Sequence, residues 1–169
     1  ELLDGLDHFW RMRSMLDIDA LSAEARAGVL PVIRDWAESA RGMSGPDVFR
    51  AFSATHATRV ATQKALQDFD YVLSPTSPVG PALFDWASPT NDPLRGLEHI
   101  GFTVPYNMGE QPAVSVNCGY ADAPAGGKLW PIGLQIAGQR FDDLGVLQMA
   151  HLFEQLRGPQ QEWPAPPFP

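Results

Sequence analysis

Cysteine and positive charge are both scarce in this sequence. Cys118 is the sole cysteine, so the chain has no partner for a disulfide within itself, and its place in a strand-like run predicts a small, buried thiol. This cysteine usage fits a reducing, cytoplasmic location. Lys and Arg number 12 against 20 Asp and Glu, a formal net charge of −8. Because such a charge repels phosphate backbones and anionic membrane surfaces, we expect no direct nucleic-acid partner.

Long apolar runs and grouped metal ligands are also missing. No run approaches the roughly 20 apolar residues that a membrane-spanning helix needs, and no signal-peptide pattern opens the chain, so no membrane association is expected. The histidines are scattered without the spacing of metal ligands, which argues against a metal site. Lysine occurs only at Lys64 and Lys128, and no two serines are adjacent anywhere.

Residues 1–70 carry helical patterns. An apolar face predicts a helix from Leu2 to about Leu16. Ser22 is the expected N-cap of a helix that reaches about Arg41, and Pro31 either bends that helix or starts a second one. Ser44 with Asp47 forms a capping signature before a helix that ends near Phe69. We expect one stripe of this last helix to be buried: Phe49, Phe52, His56, Val60, Gln63 and Leu66 or Gln67.

Residues 71–157 alternate between strand patterns and loops. A short strand is predicted at Tyr71–Leu73, and a long ordered loop, 77–91, follows it. Phe84 and Trp86 are expected to hold this loop in place. Alternating side chains predict two neighbouring strands, 113–118 and 132–137, joined by an exposed hairpin loop with Gly126 and Gly127. Asp142 or Asp143 caps a final helix that packs on the sheet. The proline-rich tail, 158–169, is expected to lie against the body through Trp163 and Phe168.

A residue string in this half resembles the C-terminal part of amidase signature hydrolases. The string comprises Thr103–Asn107, Gln111–Ser115, Asn117–Tyr120, Pro131–Ile136 and Arg140–Asp143. The resemblance implies a single α/β segment over 1–169, with N-terminal helices, a mixed-sheet fragment and a covering helix. It also implies that a strand end and a following loop form the rim of a substrate pocket: Thr76, Tyr106, Asn107, Gln111 and Pro112.

Enzymes of that family cut amide bonds with a Ser, cis-Ser, Lys triad, and they use neither a metal nor an organic cofactor. The triad's double-serine segment has no counterpart in these 169 residues, so the chain alone is expected to be inactive. The resemblance therefore implies a missing N-terminal catalytic part of the same protein as partner, and a small-molecule amide as substrate of the whole. The start at Glu1 is interpreted as a boundary within a longer chain.

Other interpretations of the sequence remain open. A self-sufficient site could pair Lys64 with Ser74 or Ser77 at the first strand's end, although a solvated Lys64 is the simpler interpretation. The chain could be a stand-alone, non-catalytic domain for binding or assembly, or part of the A subunit of a tRNA-dependent amidotransferase. A sheet cut from a larger one exposes apolar surface, so a homo-oligomer is a further possibility.

Overall fold

The computed structural model describes residues 2–122 and 129–160 of the chain. Four helices come first, then a strand, a long irregular segment with one 3₁₀ turn, a short helix, two strands and a last helix. Their bounds are α1 Leu2–Asp19, α2 Ala23–Ala27, α3 Pro31–Glu38, α4 Gly45–Leu66, β1 Tyr71–Pro75, the 3₁₀ turn Glu98–Ile100, α5 Val104–Gly109, β2 Ala113–Ala121, β3 Trp130–Gly138 and α6 Asp143–Leu156.

Local capping signals set where the first helices begin. The Ser22 side chain accepts from Ala25 N at the start of α2, and a second helix, α3, starts at Pro31. Ser44 and Asp47 form the reciprocal capping box at the start of α4. The capping predictions for these helices are therefore confirmed, and Pro31 acts as a helix start because its ring fixes φ at a helical value.

The prediction of which face of α4 is buried is wrong. The buried side chains of α4 are the small ones, Ala51, Thr58 and Thr62, whereas Phe49 and Val60 are 71% and 63% exposed. Helix α4 packs on α1 and α5, and small side chains allow helix backbones to approach closely. Phe49 and Val60 consequently lie on the uncovered side, and His56 is exposed rather than a core histidine.

The described strands form a sheet of order β1-β3-β2. Both pairings are antiparallel, whereas a mixed sheet was expected. The register of β2 against β3 shifts between Asn117 and Gly119. Cys118 lies at this bulge and is exposed, which corrects the prediction of a buried thiol, because an extra residue at a bulge changes the face to which side chains point.

Helix α6 covers one face of the sheet. Val116, Ile136 and Ala150 form the buried centre of this interface, with Tyr71 and Phe153 packed against them. Asp142 caps α6 by accepting from Gly145 N, as predicted. It also accepts a 2.9 Å hydrogen bond from the Tyr71 hydroxyl, and this bond raises the pKa of Tyr71 above its ordinary value.

The segment between β1 and β2 differs from its prediction in two places. Residues 104–109, expected as part of a loop, form the short helix α5, in which Pro105 occupies the first turn where its missing N–H is not needed. Glu110 ends α5 in the left-handed conformation, at φ 59°. Phe84 is fully exposed and Trp86 is 41% exposed, so Phe84 does not hold the 77–91 loop in place.

The α/β fold class is confirmed. No helix among the described residues is long and apolar enough to cross a membrane. The single-domain assignment stays a prediction, and the predictions for the 123–128 loop, including Gly126 and Gly127, and for the tail beyond 160, including Trp163 and Phe168, lie outside the described residues.

Candidate functional site

Polar side chains line the sheet face that lies opposite α6. Because successive strand residues point to opposite faces, the packing of Val114 and Val116 toward α6 places Ser115 on the other side. The cross-strand register puts Ser74 and Ser115 on either side of Gln135. We call this group the polar sheet face and define it by Ser74, Thr76, Ser115, Gly133 and Gln135.

Thr76, the predicted rim residue at the end of β1, lies within the polar sheet face. Its Oγ1 is 2.7 Å from the Ser115 Oγ, and its backbone N–H donates to Gly133 O at 3.0 Å. A Cβ on residue 133 would lie 2.6 Å from the Thr76 Oγ1 and 2.8 Å from the Ser115 Oγ. Glycine at 133 therefore makes room for a hydroxyl pair between two strands that each neighbour β3.

Gln135 connects the polar sheet face to the segment before α5. The Gln135 side chain is 4% exposed, and its Nε2 donates to Ser74 Oγ at 3.0 Å and to Phe102 O at 2.8 Å. A buried amide with both donor hydrogens bonded holds its neighbours in one arrangement. The face that carries Thr76 is thus tied to the chain that leads into the other predicted rim residues.

Helix α5 presents two of the predicted rim residues in different environments. Tyr106 is buried at 8% exposure, whereas Asn107 is exposed. Asn107 lines a cavity of about 190 Å³ between α4 and α5, together with Thr55, His56, Arg59, Met108 and Glu110. The cavity is small and open, and its walls offer amide, hydroxyl, imidazole and guanidinium groups to a polar ligand.

Glu110 joins three parts of the fold through ion pairs. Its carboxylate contacts Arg59 of α4 on one oxygen and Arg140, which follows β3, on the other. Arg59 also donates its Nε to Met108 O at 3.2 Å. With side-chain exposures between 34% and 43%, these groups reach solvent, so two guanidinium groups around one carboxylate leave a local positive charge in an acidic protein.

Gln111 and Pro112 continue directly from α5 into β2. Gln111 is 8% exposed, and its Oε1 has no hydrogen-bond partner among the described residues. Its backbone N–H donates to Tyr106 O, and Pro112 O accepts from Gly138 N at 3.0 Å. A buried acceptor without a partner is uncommon, and it is the kind of group that a ligand or a further protein group satisfies.

The groups of a self-sufficient Ser–Lys site do not come together among the described residues. Ser74 Oγ accepts from Gln135, and Ser77 Oγ donates to Val79 O at 2.9 Å. Lys64 is exposed on α4, and no hydrogen bond joins it to either serine. Within 2–122 and 129–160, no group of three or more His, Cys, Asp or Glu side chains could hold a metal ion.

Sequence reasoning did not find the roles of Gln135, Ser115 and the Arg59–Glu110–Arg140 cluster. Neither Ser115 nor Glu110 is among the predicted site residues. The sequence did carry a signal for Gln135 and Ser115, because polar residues that alternate with apolar ones on both β2 and β3 indicate a polar face of the sheet. The ion cluster joins Glu110 to residues 51 and 30 positions away and carries no local signal.

The sequence of this chain is similar to that of one known protein family. The sequence model of the Amidase family matches residues 28–147. The A subunit of glutamyl-tRNA(Gln) amidotransferase from Thermodesulfovibrio yellowstonii is 38% identical over 93 residues, which are 55% of this chain and 18% of that protein. The same subunit from Geobacillus thermodenitrificans gives the same identity over the same shares. The chain thus spans under a fifth of the length of these curated relatives.

Solved structures show the same fold at lower identity. A crystal structure of an amidase superposes with a TM-score of 0.68 at 20% identity, covering 92% of this chain and 35% of that one. A bacterial aryl acylamidase of the amidase signature enzymes gives 0.67 at 20% identity, with 91% and 33% covered. These structural similarities cover most of the chain and therefore extend to the helices that precede the residue string 103–143.

Proposed function

Because the chain belongs to the Amidase family, we propose that it forms the part of an amide-hydrolysing enzyme that completes the sheet and supplies one wall of the substrate pocket. The observation that carries this proposal is the polar sheet face and its tie to α5. Gln135 bonds both to Ser74 and to Phe102 O, which connects the sheet face that carries Thr76 to the segment that leads into α5.

The proposed wall consists of the predicted rim residues: Thr76, Tyr106, Asn107, Gln111 and Pro112. Three features support a wall rather than a catalytic centre. Thr76 is bonded to Ser115, Tyr106 is buried, and Gln111 keeps an acceptor unpartnered among the described residues. Such groups orient a substrate by shape and hydrogen bonding, as pocket walls usually do.

In this proposal, the reacting groups come from outside these 169 residues. A serine hydroxyl attacks the amide carbonyl carbon, the amine leaves with a proton relayed through the second serine and lysine, and water then hydrolyses the acyl-enzyme. Backbone N–H groups stabilise the oxyanion in both steps. The proposed partners are therefore the catalytic part of the same protein and a small-molecule amide. A cytoplasmic location is also proposed and rests on the single cysteine.

The test compares this chain with the product of the complete reading frame that contains it. Both proteins are assayed against a panel of aryl and aliphatic amides. We expect turnover only from the complete product, and we expect replacement of its double-serine nucleophile by alanine to abolish that turnover. Asn107→Ala changes the proposed pocket wall. It should change KM for the amide substrates more than it changes kcat, which reports the reactivity of the nucleophile.

Two results would contradict the proposal. One is a reading frame that encodes no lysine and double-serine segment, which would favour a non-catalytic binding or assembly domain. The other is hydrolysis by the 169-residue chain alone that disappears in Lys64→Ala, which would establish a self-sufficient site. Lys128→Ala is the matched control for the second case, because it removes the only other lysine of this sequence.

A second candidate function is that of an amidotransferase A subunit. It is favoured by the 38% identity over 93 residues to subunits that carry this name. The two functions differ in the acceptor of the released nitrogen. An amidotransferase subunit would deliver the amide nitrogen to glutamyl-tRNA(Gln) in the presence of its partner subunits, whereas an amidase would release ammonia or an amine without them.

A further inference from the structure

Glu110 occupies a backbone conformation that glutamate disfavours. It ends α5 in the left-handed region, at φ 59°, where its backbone N–H donates to Tyr106 O. Glycine adopts this conformation without strain, and asparagine and aspartate adopt it more readily than glutamate does. Strain of this kind persists only where the surrounding structure imposes it, so the contacts of the Glu110 side chain have to compensate for it.

The Glu110 side chain connects α5 to two elements that are distant in the sequence. One carboxylate oxygen contacts Arg59 of α4, and the other contacts Arg140, which directly follows β3. The carboxylate therefore lies between two like charges and neutralises part of their repulsion. A single side chain thus determines how α4 and the end of β3 are joined to the last turn of α5.

Helix α4 also holds the last turn of α5 through its backbone carbonyls. Arg59 donates its Nε to Met108 O at 3.2 Å, and Gln63 donates its Nε2 to Gly109 O at 3.4 Å. A Cβ on residue 109 would clash with the Gln111 side chain, so this turn is closely packed. The ion pairs of Glu110 add to these bonds the only one of the named contacts that reaches the sheet.

Two predicted rim residues lie beside Glu110. Asn107 belongs to the same turn of α5 and lines the 190 Å³ cavity together with Arg59 and Glu110. Gln111 follows Glu110 directly, and its backbone N–H donates to Tyr106 O at 3.1 Å. A tilt of α5 against α4 would consequently move both rim residues at once.

We propose that Glu110 is a positioning residue: its two ion pairs fix α5 between α4 and the end of β3, and they thereby hold Asn107 and Gln111 in the proposed pocket wall. This inference rests on the proposed function, because only there do the wall residues meet a substrate. The paired side chains are between 34% and 43% exposed, and salt screens ion pairs that reach solvent. KM for an uncharged amide should therefore rise with ionic strength, whereas kcat should not.

The first measurement is hydrogen exchange of the Gln111 amide in the full chain, which requires no hydrolysis. Glu110→Gln keeps the length of the side chain and removes its charge, and we expect exchange about 3- to 10-fold faster, the size of two partly exposed ion pairs. Glu38→Gln is the matched control, because Glu38 is likewise paired with an arginine, Arg41, but lies on α3. It should leave the exchange of Gln111 unchanged.

A second variant keeps the proposal testable if Glu110→Gln does not fold. Arg140→Gln removes one of the two ion pairs and should accelerate Gln111 exchange by a smaller factor. In the double variant, Glu110→Gln with Arg140→Gln, the acceleration should be less than the product of the two single effects, because the two changes remove one shared interaction. A full product of the two effects would show that Glu110 does not act through Arg140.

The second measurement is made on the product of the complete reading frame with an uncharged aryl amide. Glu110→Gln should raise KM about 3- to 10-fold, change kcat less than about 2-fold, and abolish the rise of KM with ionic strength. Glu38→Gln should keep both the wild-type KM and its salt dependence. A general loss of stability would not produce this separation of KM from kcat.

Distinct results overturn this proposal and the proposed function. Unchanged Gln111 exchange in Glu110→Gln would show that Glu110 does not fix α5. Faster exchange with an unchanged KM would show that the ion pairs hold α5 but do not position the wall, and this result also overturns the proposal. A complete product that hydrolyses no amide would contradict the proposed function instead, and the exchange measurement would still decide whether Glu110 fixes α5.

Discussion

At the scale of single residues, one glycine determines the geometry of the polar sheet face. Thr76 directly follows β1 and Ser115 lies in β2, and these two strands do not pair with each other, yet the two hydroxyls meet at 2.7 Å. They meet across β3, where Gly133 presents no side chain between them. The hydroxyl pair therefore depends on Gly133, which has no side chain and takes no part in the side-chain hydrogen bond itself.

Gly133→Ala is expected to break this hydroxyl pair. The added methyl would lie within 3 Å of both oxygens, and overpacking of this kind costs about 1–3 kcal/mol of unfolding free energy. Chemical denaturation of the wild type and the variant measures the difference. Gly42→Ala is the control, because a Cβ there meets nothing within 4 Å. Equal losses from both variants would show that the pair carries no special constraint.

Tyr71 gives the fold a pH dependence on the alkaline side. Its hydrogen bond to Asp142 raises the pKa of Tyr71 above the ordinary value of 10.0. Because the folded-state value is the higher one, this contribution to stability is complete below pH 10 and is lost as pH rises through the raised value. Tyr71→Phe should flatten the fall in unfolding free energy above pH 10. Tyr120→Phe is the control, and an equal flattening there would contradict the assignment.

At the scale of secondary-structure elements, local signals predicted helix starts better than helix faces. The caps at Ser22, Ser44 and Asp142 were predictable because a capping side chain bonds within three residues of itself. Which side of α4 becomes buried was not predictable in this way, because it depends on how closely α1 and α5 approach. Helix α5 was not predicted because it has only six residues and no side-chain cap, so it carries no local start signal.

The candidate site divides along the same line between local and distant interactions. Strand alternation predicts that residues such as Ser115 and Gln135 share a face, and the motif string pointed to the residues around α5. The bond from Gln135 to Phe102 O spans 33 positions, and no local pattern predicts it. The cluster around Glu110 depends on a left-handed residue at a helix end, a conformation that sequence favours mainly for glycine or asparagine.

The capping box of α4 is the element-scale feature with the most direct test. Ser44→Ala removes the acceptor for Asp47 N and should lower the unfolding free energy by about 1 kcal/mol. Ser53→Ala is the matched control. The Ser53 hydroxyl only donates back to Phe49 O within the helix, so its removal should be neutral or slightly stabilising. Thermal unfolding followed by helix ellipticity measures both variants. If Ser44→Ala lowered stability no more than Ser53→Ala does, the capping box would be unimportant.

At the scale of the whole molecule, the unburied apolar stripe of α4 is the most consequential feature. Phe49, Phe52 and Val60 lie along one side of this helix and are 71%, 47% and 63% exposed. An exposed apolar face of this length is unusual for a monomer and is typical of a surface that contacts other protein. Under the proposed function, the remainder of the enzyme would cover such surface, so in the isolated chain it is free to associate.

We therefore expect the 169-residue chain to self-associate, with a sedimentation coefficient that rises with concentration. Phe49→Ser combined with Val60→Ser should reduce this rise and leave the unfolding free energy nearly unchanged, because both side chains already face solvent. Phe84→Ser is the control, since Phe84 is equally apolar and fully exposed but lies outside the stripe. A wild-type chain that stays monomeric at all concentrations would instead indicate a domain that tolerates this surface alone, and would strengthen the hypothesis of a stand-alone binding domain.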